Sequence, residues 1–122
     1  MIRAEISAAE ARVEAENLRF RRTVLRAVED VERSLTLYGE EELRRRELES
    51  AAAESRGAVD LARTLYDEGL ADFLTVLDAE RRLREADDRL ASSETLVSTY
   101  LVALYKALGG GWDTDAFNAE TG

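Results

Sequence analysis

From Ile2 the apolar side chains step by threes and fours: Ile2, Ile6, Ala9 and Val13, then Phe20, Val24, Val28, Val31, Leu35 and Tyr38. A second run reads Leu48, Ala52, Ser55, Val59, Ala62 and Tyr66. Steps of three and four return side chains to one face of a helix. The pattern therefore predicts one long helix with a heptad-like seam rich in small residues. Glu16 and Asn17 interrupt it locally. After Phe73 the rhythm resumes as Val76, Ala79, Leu83, Ala86, Leu90, Ser93, Val97, Leu101, Leu104 and Leu108. No segment alternates apolar and polar residues as a strand would.

Between the two patterns lies Tyr66-Asp67-Glu68-Gly69-Leu70-Ala71-Asp72. Gly69 lacks a Cβ and suits the left-handed residue that closes a helix. Leu70 is the apolar residue expected to pack back on the last turn. Asp72 is placed to cap the next helix, accepting the free N–H groups of its first turn at the positive end of the dipole. The expected fold is all-α: a long antiparallel two-helix coiled-coil hairpin with unequal arms. Its helices span residues 2–67 and 73–108, joined by a turn over residues 68–72. Gly109, Gly110 and Gly111 end the second helix, and residues 113–122 read as a loose tail behind Trp112.

At a rise of 1.5 Å per residue the first arm is about 100 Å long and the second about 54 Å. Counted back from the turn, Leu108 falls near Val31. Residues 2 to about 30 are then left without an intramolecular partner, although they carry Ile6, Val13, Phe20 and Val24. Such a bare stripe calls for another chain, or a further part of this one, to cover it. In the middle of the first helix, Glu40, Glu41 and Glu42 each precede an Arg by four residues, the favourable order on a helix surface. That stretch reads as helix continuing through solvent. Gly39 and Gly57 are weak points, marking a bend or a close contact, and a break at Gly39 would make three helices.

Composition sharpens this picture. The chain has 122 residues, no Pro, no Cys and no His, and 35% of its residues are charged. Absence of Pro suits long helices. A net charge of −9 disfavours nucleic acid and anionic membrane surfaces as partners. Without Cys or His the usual metal sites and nucleophile–base pairs have no residues, so no cofactor and no enzyme are expected. Asp87-Asp88 and Glu29-Asp30 are adjacent pairs that diverge around a helix, and they read as solvated face. No run of apolar residues is long enough to cross a membrane as a helix. No apolar leader follows Met1.

The segment Tyr66-Asp-Glu-Gly-Leu-Ala-Asp-Phe-Leu-Thr-Val-Leu-Asp-Ala-Glu-Arg81, with Leu101-Val-Ala-Leu-Tyr-Lys-Ala-Leu-Gly-Gly-Gly-Trp112, closely resembles the C-terminal end of TolC-like outer-membrane efflux factors. Residues 2–12 and Tyr38 are similar to the long helix that follows the last barrel strand of that family. The resemblance covers nearly the whole chain. It implies a periplasmic segment of an outer-membrane protein that makes no membrane contact itself. Family members are trimers that form the exit duct of tripartite pumps. They meet a periplasmic adaptor's hairpin directly and the inner-membrane pump indirectly. The resemblance makes Glu68, Gly69 and Leu70 candidates for the adaptor-binding tip, Tyr66 for a channel gate, and Asp78 for a pore-lining acid. Ala71 and Thr75 stand where some members carry a gating Arg and a second Asp, so an ionic latch of that type is not expected.

The resemblance also implies that the barrel strands, the first structural repeat and the leader lie outside this stretch, and that Met1 is an artificial or secondary start. The plain alternatives stay open. Tyr66 suits a seam residue with its hydroxyl at the surface. Gly69 meets a backbone requirement, and Asp78 suits a solvated flank. The alternative function is an autonomous soluble scaffold that forms dimers or other oligomers through its bare N-terminal stripe.

Overall fold

A computed structural model describes residues 1–110. Trp112 and the expected tail over residues 113–122 lie outside the described residues. Helix α1 spans Ile2–Asp67, 66 residues, and helix α2 spans Phe73–Tyr105, 33 residues. At 1.5 Å per residue these are about 99 Å and about 50 Å long. Beyond Tyr105 the chain continues through Lys106–Gly110, where extended backbone at Gly109 (φ 171°) kinks it out of the helix. The two helices pack against each other as an all-α hairpin with unequal arms.

The shared seam is narrow. Ala52, Val59, Ala62 and Val76 are its buried apolar residues. Around them Leu48, Ser55, Leu83 and Leu90 are half-buried. Buried positions are mirror-related about Gly69: Ala62 and Val76 are equally far from it in sequence, as are Val59 and Ala79, Ser55 and Leu83, and Ala52 and Ala86. The turn therefore sets the register, because both helices leave it with fixed phase. Small residues on α1 let α2 approach closely. On one flank Arg63 Nη2 donates to Glu80 Oε1 at 2.8 Å, and Arg56 Nη2 to Asp87 Oδ1 at 3.3 Å. Such exposed pairs add little stability but favour this register over others. Asp87, read above as solvated, is half-buried and bridges the helices in this way.

Several expectations are corrected. The helix does not break at Gly39, and a Cβ added at Gly39 or Gly57 would meet no atom within 4 Å, so neither marks a close contact. In α2 the strict alternation continues from Val97 to half-buried Tyr100, Leu104 and Ala107, leaving Leu101 and Leu108 exposed. In α1 the seam passes through half-buried Ser34 and leaves Leu35 exposed. The charged stretch around residue 41 is not a solvent crossing. Glu41 is buried at 8% exposure and accepts a 2.8 Å hydrogen bond from Ser93 Oγ, itself 1% exposed. Arg45 is half-buried beside it. Arg45 donates through Nε and Nη2 to both oxygens of Glu42, at 3.1 and 2.9 Å, and through Nη1 to Glu49. The Arg45 hydrogen bond holds the Glu42 carboxyl below its ordinary value. A heptad seam places residues by phase, whatever their polarity, and positions 41 and 45 fall on it.

Every residue from 1 to 30 is exposed. Val31 is the first half-buried position of α1, and Ala107 on the far arm is the same distance in sequence from Gly69. Ile6, Val13, Phe20 and Val24 thus lie bare, Phe20 at 70% exposure.

Candidate functional site

The chain reversal is closed by three local devices. Glu68 caps α1 with helical backbone angles, and its N–H donates to Thr64 O at 3.0 Å. Gly69 follows at φ +77°, in the left-handed region. The Gly69 N–H donates to Tyr66 O at 3.0 Å, and the Leu70 N–H to Leu65 O at 2.7 Å. That pair of bonds is a Schellman motif, which satisfies carbonyls the helix end would otherwise leave free. The Ala71 N–H shares Leu65 O at 3.2 Å. No atom lies within 4 Å of a Cβ built on Gly69, so only the backbone angle demands glycine there.

Asp72 then starts α2 in an extended conformation. Its Oδ1 accepts from Thr75 N at 3.1 Å and from Thr75 Oγ1 at 2.8 Å. The Thr75 hydroxyl, then the Thr75 amide, hold the Asp72 carboxyl below its ordinary value. The geometry is an N-cap in which the amide and the hydroxyl of Thr75 both donate to one Asp72 oxygen.

Leu70 does not pack back on the last turn: it is 72% exposed. With both its own N–H and that of Ala71 drawn onto Leu65 O, it is Ala71 that becomes half-buried. Tyr66, placed on the seam by spacing, is 45% exposed, and its neighbour Leu65 is half-buried instead. The Tyr66 ring meets Phe73 across the turn, centroids 5.5 Å apart and planes tilted by 57°. Such a tilted pair is a favoured aromatic geometry. Phe73, Leu74 and Leu77 are also exposed, Leu74 at 71%. Together with Leu70 they give the hairpin an apolar tip. Spacing held the signal for Leu74 and Leu77, apolar yet off the seam positions Val76 and Ala79, whereas Phe73 keeps the step of three before Val76 and is exposed all the same.

Tyr66, Glu68, Gly69, Leu70 and Asp72 therefore come together at the tip. Asp78 does not; it sits about 9 Å further along α2. There it rims a shallow groove between the helices, lined by Ser55, Ala58, Ala62 and Leu65. Arg81 Nη2 donates to Asp78 Oδ1 at 2.9 Å, and Arg82 Nε lies 3.1 Å from Oδ2. The Arg81 hydrogen bond, assisted by the charge of Arg82, holds the Asp78 carboxyl below its ordinary value. Asp78 thus remains an anion with its charge already matched on its own helix.

Among the described residues no helix is long and apolar enough to cross a membrane. The arrangement is a coiled-coil hairpin that ends in a tight, capped turn with exposed apolar side chains. Residues 1–110 match the family model described as outer membrane efflux protein. The chain belongs to that family. It is 37% identical over 115 residues to the pyoverdine export outer membrane protein OpmQ of Pseudomonas putida, covering 94% of this chain and 24% of that protein. It is 34% identical over 113 residues to outer membrane protein OprJ of Pseudomonas aeruginosa, covering 91% of this chain and 23% of that protein. The solvent efflux pump outer membrane protein SrpC of Pseudomonas putida matches at 46% over 52 residues, covering 43% of this chain and 11% of that protein. The chain thus spans about a quarter of the length of its longest-matching relatives. No solved structure matches it.

Proposed function

We propose that this chain supplies part of the wall of a periplasmic helical duct in an outer-membrane efflux channel, and that its turn is the tip on which an adaptor's helical hairpin docks. The supporting observation is the exposure of Leu70, Phe73 and Leu74 on a turn held rigid by the Schellman bonds and the Asp72 cap. Exposed apolar side chains clustered on a fixed scaffold are what a helical partner buries. Family membership supports the duct, which forms when the long arms of three copies stand side by side. In that assembly Glu68, Gly69 and Leu70 meet the adaptor, Tyr66 narrows the channel end, and Asp78 faces the bore. The inner-membrane pump is reached through the adaptor.

Titration with a cognate adaptor hairpin, followed by backbone amide NMR, tests the tip. The Gly69 and Leu70 signals are expected to shift, and Leu70→Asp to abolish binding while leaving the helical circular dichroism intact. Binding that leaves both signals unmoved rejects this tip as the docking site.

A further inference from the structure

Two aromatic rings meet across the reversal, and neither sits in the seam. Tyr66 lies in the last turn of α1, where its neighbour Leu65 takes the half-buried place. Phe73 opens α2; it stands three residues before buried Val76, yet it is exposed. The seam therefore orients neither ring, and what places them is local. The Tyr66 carbonyl accepts the Gly69 N–H at 3.0 Å, which fixes the backbone from which the Tyr66 ring leaves. Asp72 Oδ1, bonded to the amide and the hydroxyl of Thr75, fixes the first turn of α2 and with it the start of the Phe73 side chain. Between these anchored backbones the ring centroids lie 5.5 Å apart, with planes tilted by 57°. Both rings and the bonds that anchor them lie within residues 66–75, so the pairing is built into each copy of the hairpin.

We propose that Phe73 is the positioning residue for Tyr66: its ring selects the rotamer in which Tyr66 stands at the channel end. The inference rests on the reading of Tyr66 as the side chain that narrows that end. The turn itself does not need the ring pair. It is already closed by the Gly69 and Leu70 N–H bonds and by the Asp72 cap, none of which involves either ring. The attraction between the rings is thus left to act on the Tyr66 side chain. A tilted aromatic pair biases a rotamer by about two- to tenfold. A bias of that size sets a preferred position without freezing it, so the ring still moves aside at small cost. Phe73 brings no polar atom to the contact. Leucine in its place keeps an apolar side chain and a good helix former in the first turn, and removes only the ring.

Two measurements test this. In the chain itself, Phe73→Leu is expected to keep the helical circular dichroism. The Tyr66 ring protons lose the shift imposed by a neighbouring ring, and the Tyr66 χ1 couplings average as the paired rotamer falls about two- to tenfold. Tyr66 signals that do not move overturn the proposal, and so does a loss of helix, which would make the pair a part of the turn. In the assembled channel, planar-bilayer conductance reads the consequence. Tyr66→Ala and Phe73→Leu are each expected to raise it, the double variant no further than Tyr66→Ala alone, and Phe73→Tyr, which keeps the ring, to restore the parent's value. A Tyr66→Ala channel that conducts like the parent removes the gate, and this inference with it. A Tyr66→Ala channel that conducts more, beside a Phe73→Leu channel that does not, removes this inference alone. The adaptor titration reads the Gly69 and Leu70 amides, so docking at the tip stands or falls separately.

Discussion

Helix α1 is two helices in one. Residues 31–67 lie under α2 and carry small seam residues, Ala52, Ser55 and Ala62. Residues 1–30 continue the same phase with Ile6, Val13, Phe20 and Val24, and bury none of them. Backbone, phase and helical character are continuous through Gly39, so the difference is not in the helix but in what stands against it. A heptad pattern states which face wants cover; it does not say what provides it. Residue size does not say it either, since Ala9 lies on the bare stripe while Tyr38, Leu48 and Val59 lie on the covered one.

The sharpest way to break this contrast is to charge both halves alike. Val76→Asp buries an unpaired carboxylate at a 4% exposed position and is expected to cost upward of about 3 kcal/mol, removing cooperative unfolding of the hairpin. Val13→Asp, on the bare half, is expected to leave hairpin unfolding unchanged and to act only through self-association, so its effect depends on protein concentration. Thermal melts over a range of concentrations compare the two. If Val13→Asp lowers the melting point independently of concentration, the bare half is not bare in solution.

Gly69→Val comes next. The left-handed angle strains a β-branched residue by about 1–3 kcal/mol, with no clash to add. A melting temperature equal to that of the parent chain would show that the turn had found another geometry. Ser93→Ala removes the donor on which buried Glu41 rests and is expected to cost about 1 kcal/mol. Combining it with Glu41→Leu should recover most of that loss or exceed it, because an apolar layer needs no partner. Failure of the double substitution would mean that Arg44, 3.8 Å from Glu41, does more for the layer than its distance suggests.

The smallest effect is that of acid. Asp72, Asp78 and Glu42 all lie in the hairpin half, and all have folded values below the ordinary 3.8 for Asp and 4.5 for Glu. The folded state therefore binds fewer protons than the unfolded chain. The stability these groups contribute is present above those ordinary values and is lost as pH falls through the lower folded ones. Melting points followed by circular dichroism should decline across that window, and Asp72→Asn should shallow the decline. A melting point flat through the window would remove these carboxylates from the account of stability.

At the candidate tip, Gly69 and Asp72 were legible because each meets a backbone requirement that lies within a few residues along the chain. Leu70 was not. Whether it folds back depends on where the Leu65 carbonyl gathers its donors, and that is decided by the closed turn. The burial of Glu41 is hidden from the sequence for a related reason. A Glu-rich stretch with arginines at helical spacing looks solvated until the opposite helix delivers Ser93 to it. Tyr66 lies off the seam with its ring against Phe73, a contact across the reversal.

The sequence by itself determined two helices, one reversal at Gly69, and the face each helix turns inward, because propensity, capping and periodicity act between residues a few positions apart. Only the tertiary structure decided which polar residues share the seam, which apolar ones stay at the tip, and where cover by α2 stops at Val31. Those outcomes depend on the register between residues far apart in sequence, and that register exists only once the turn has closed.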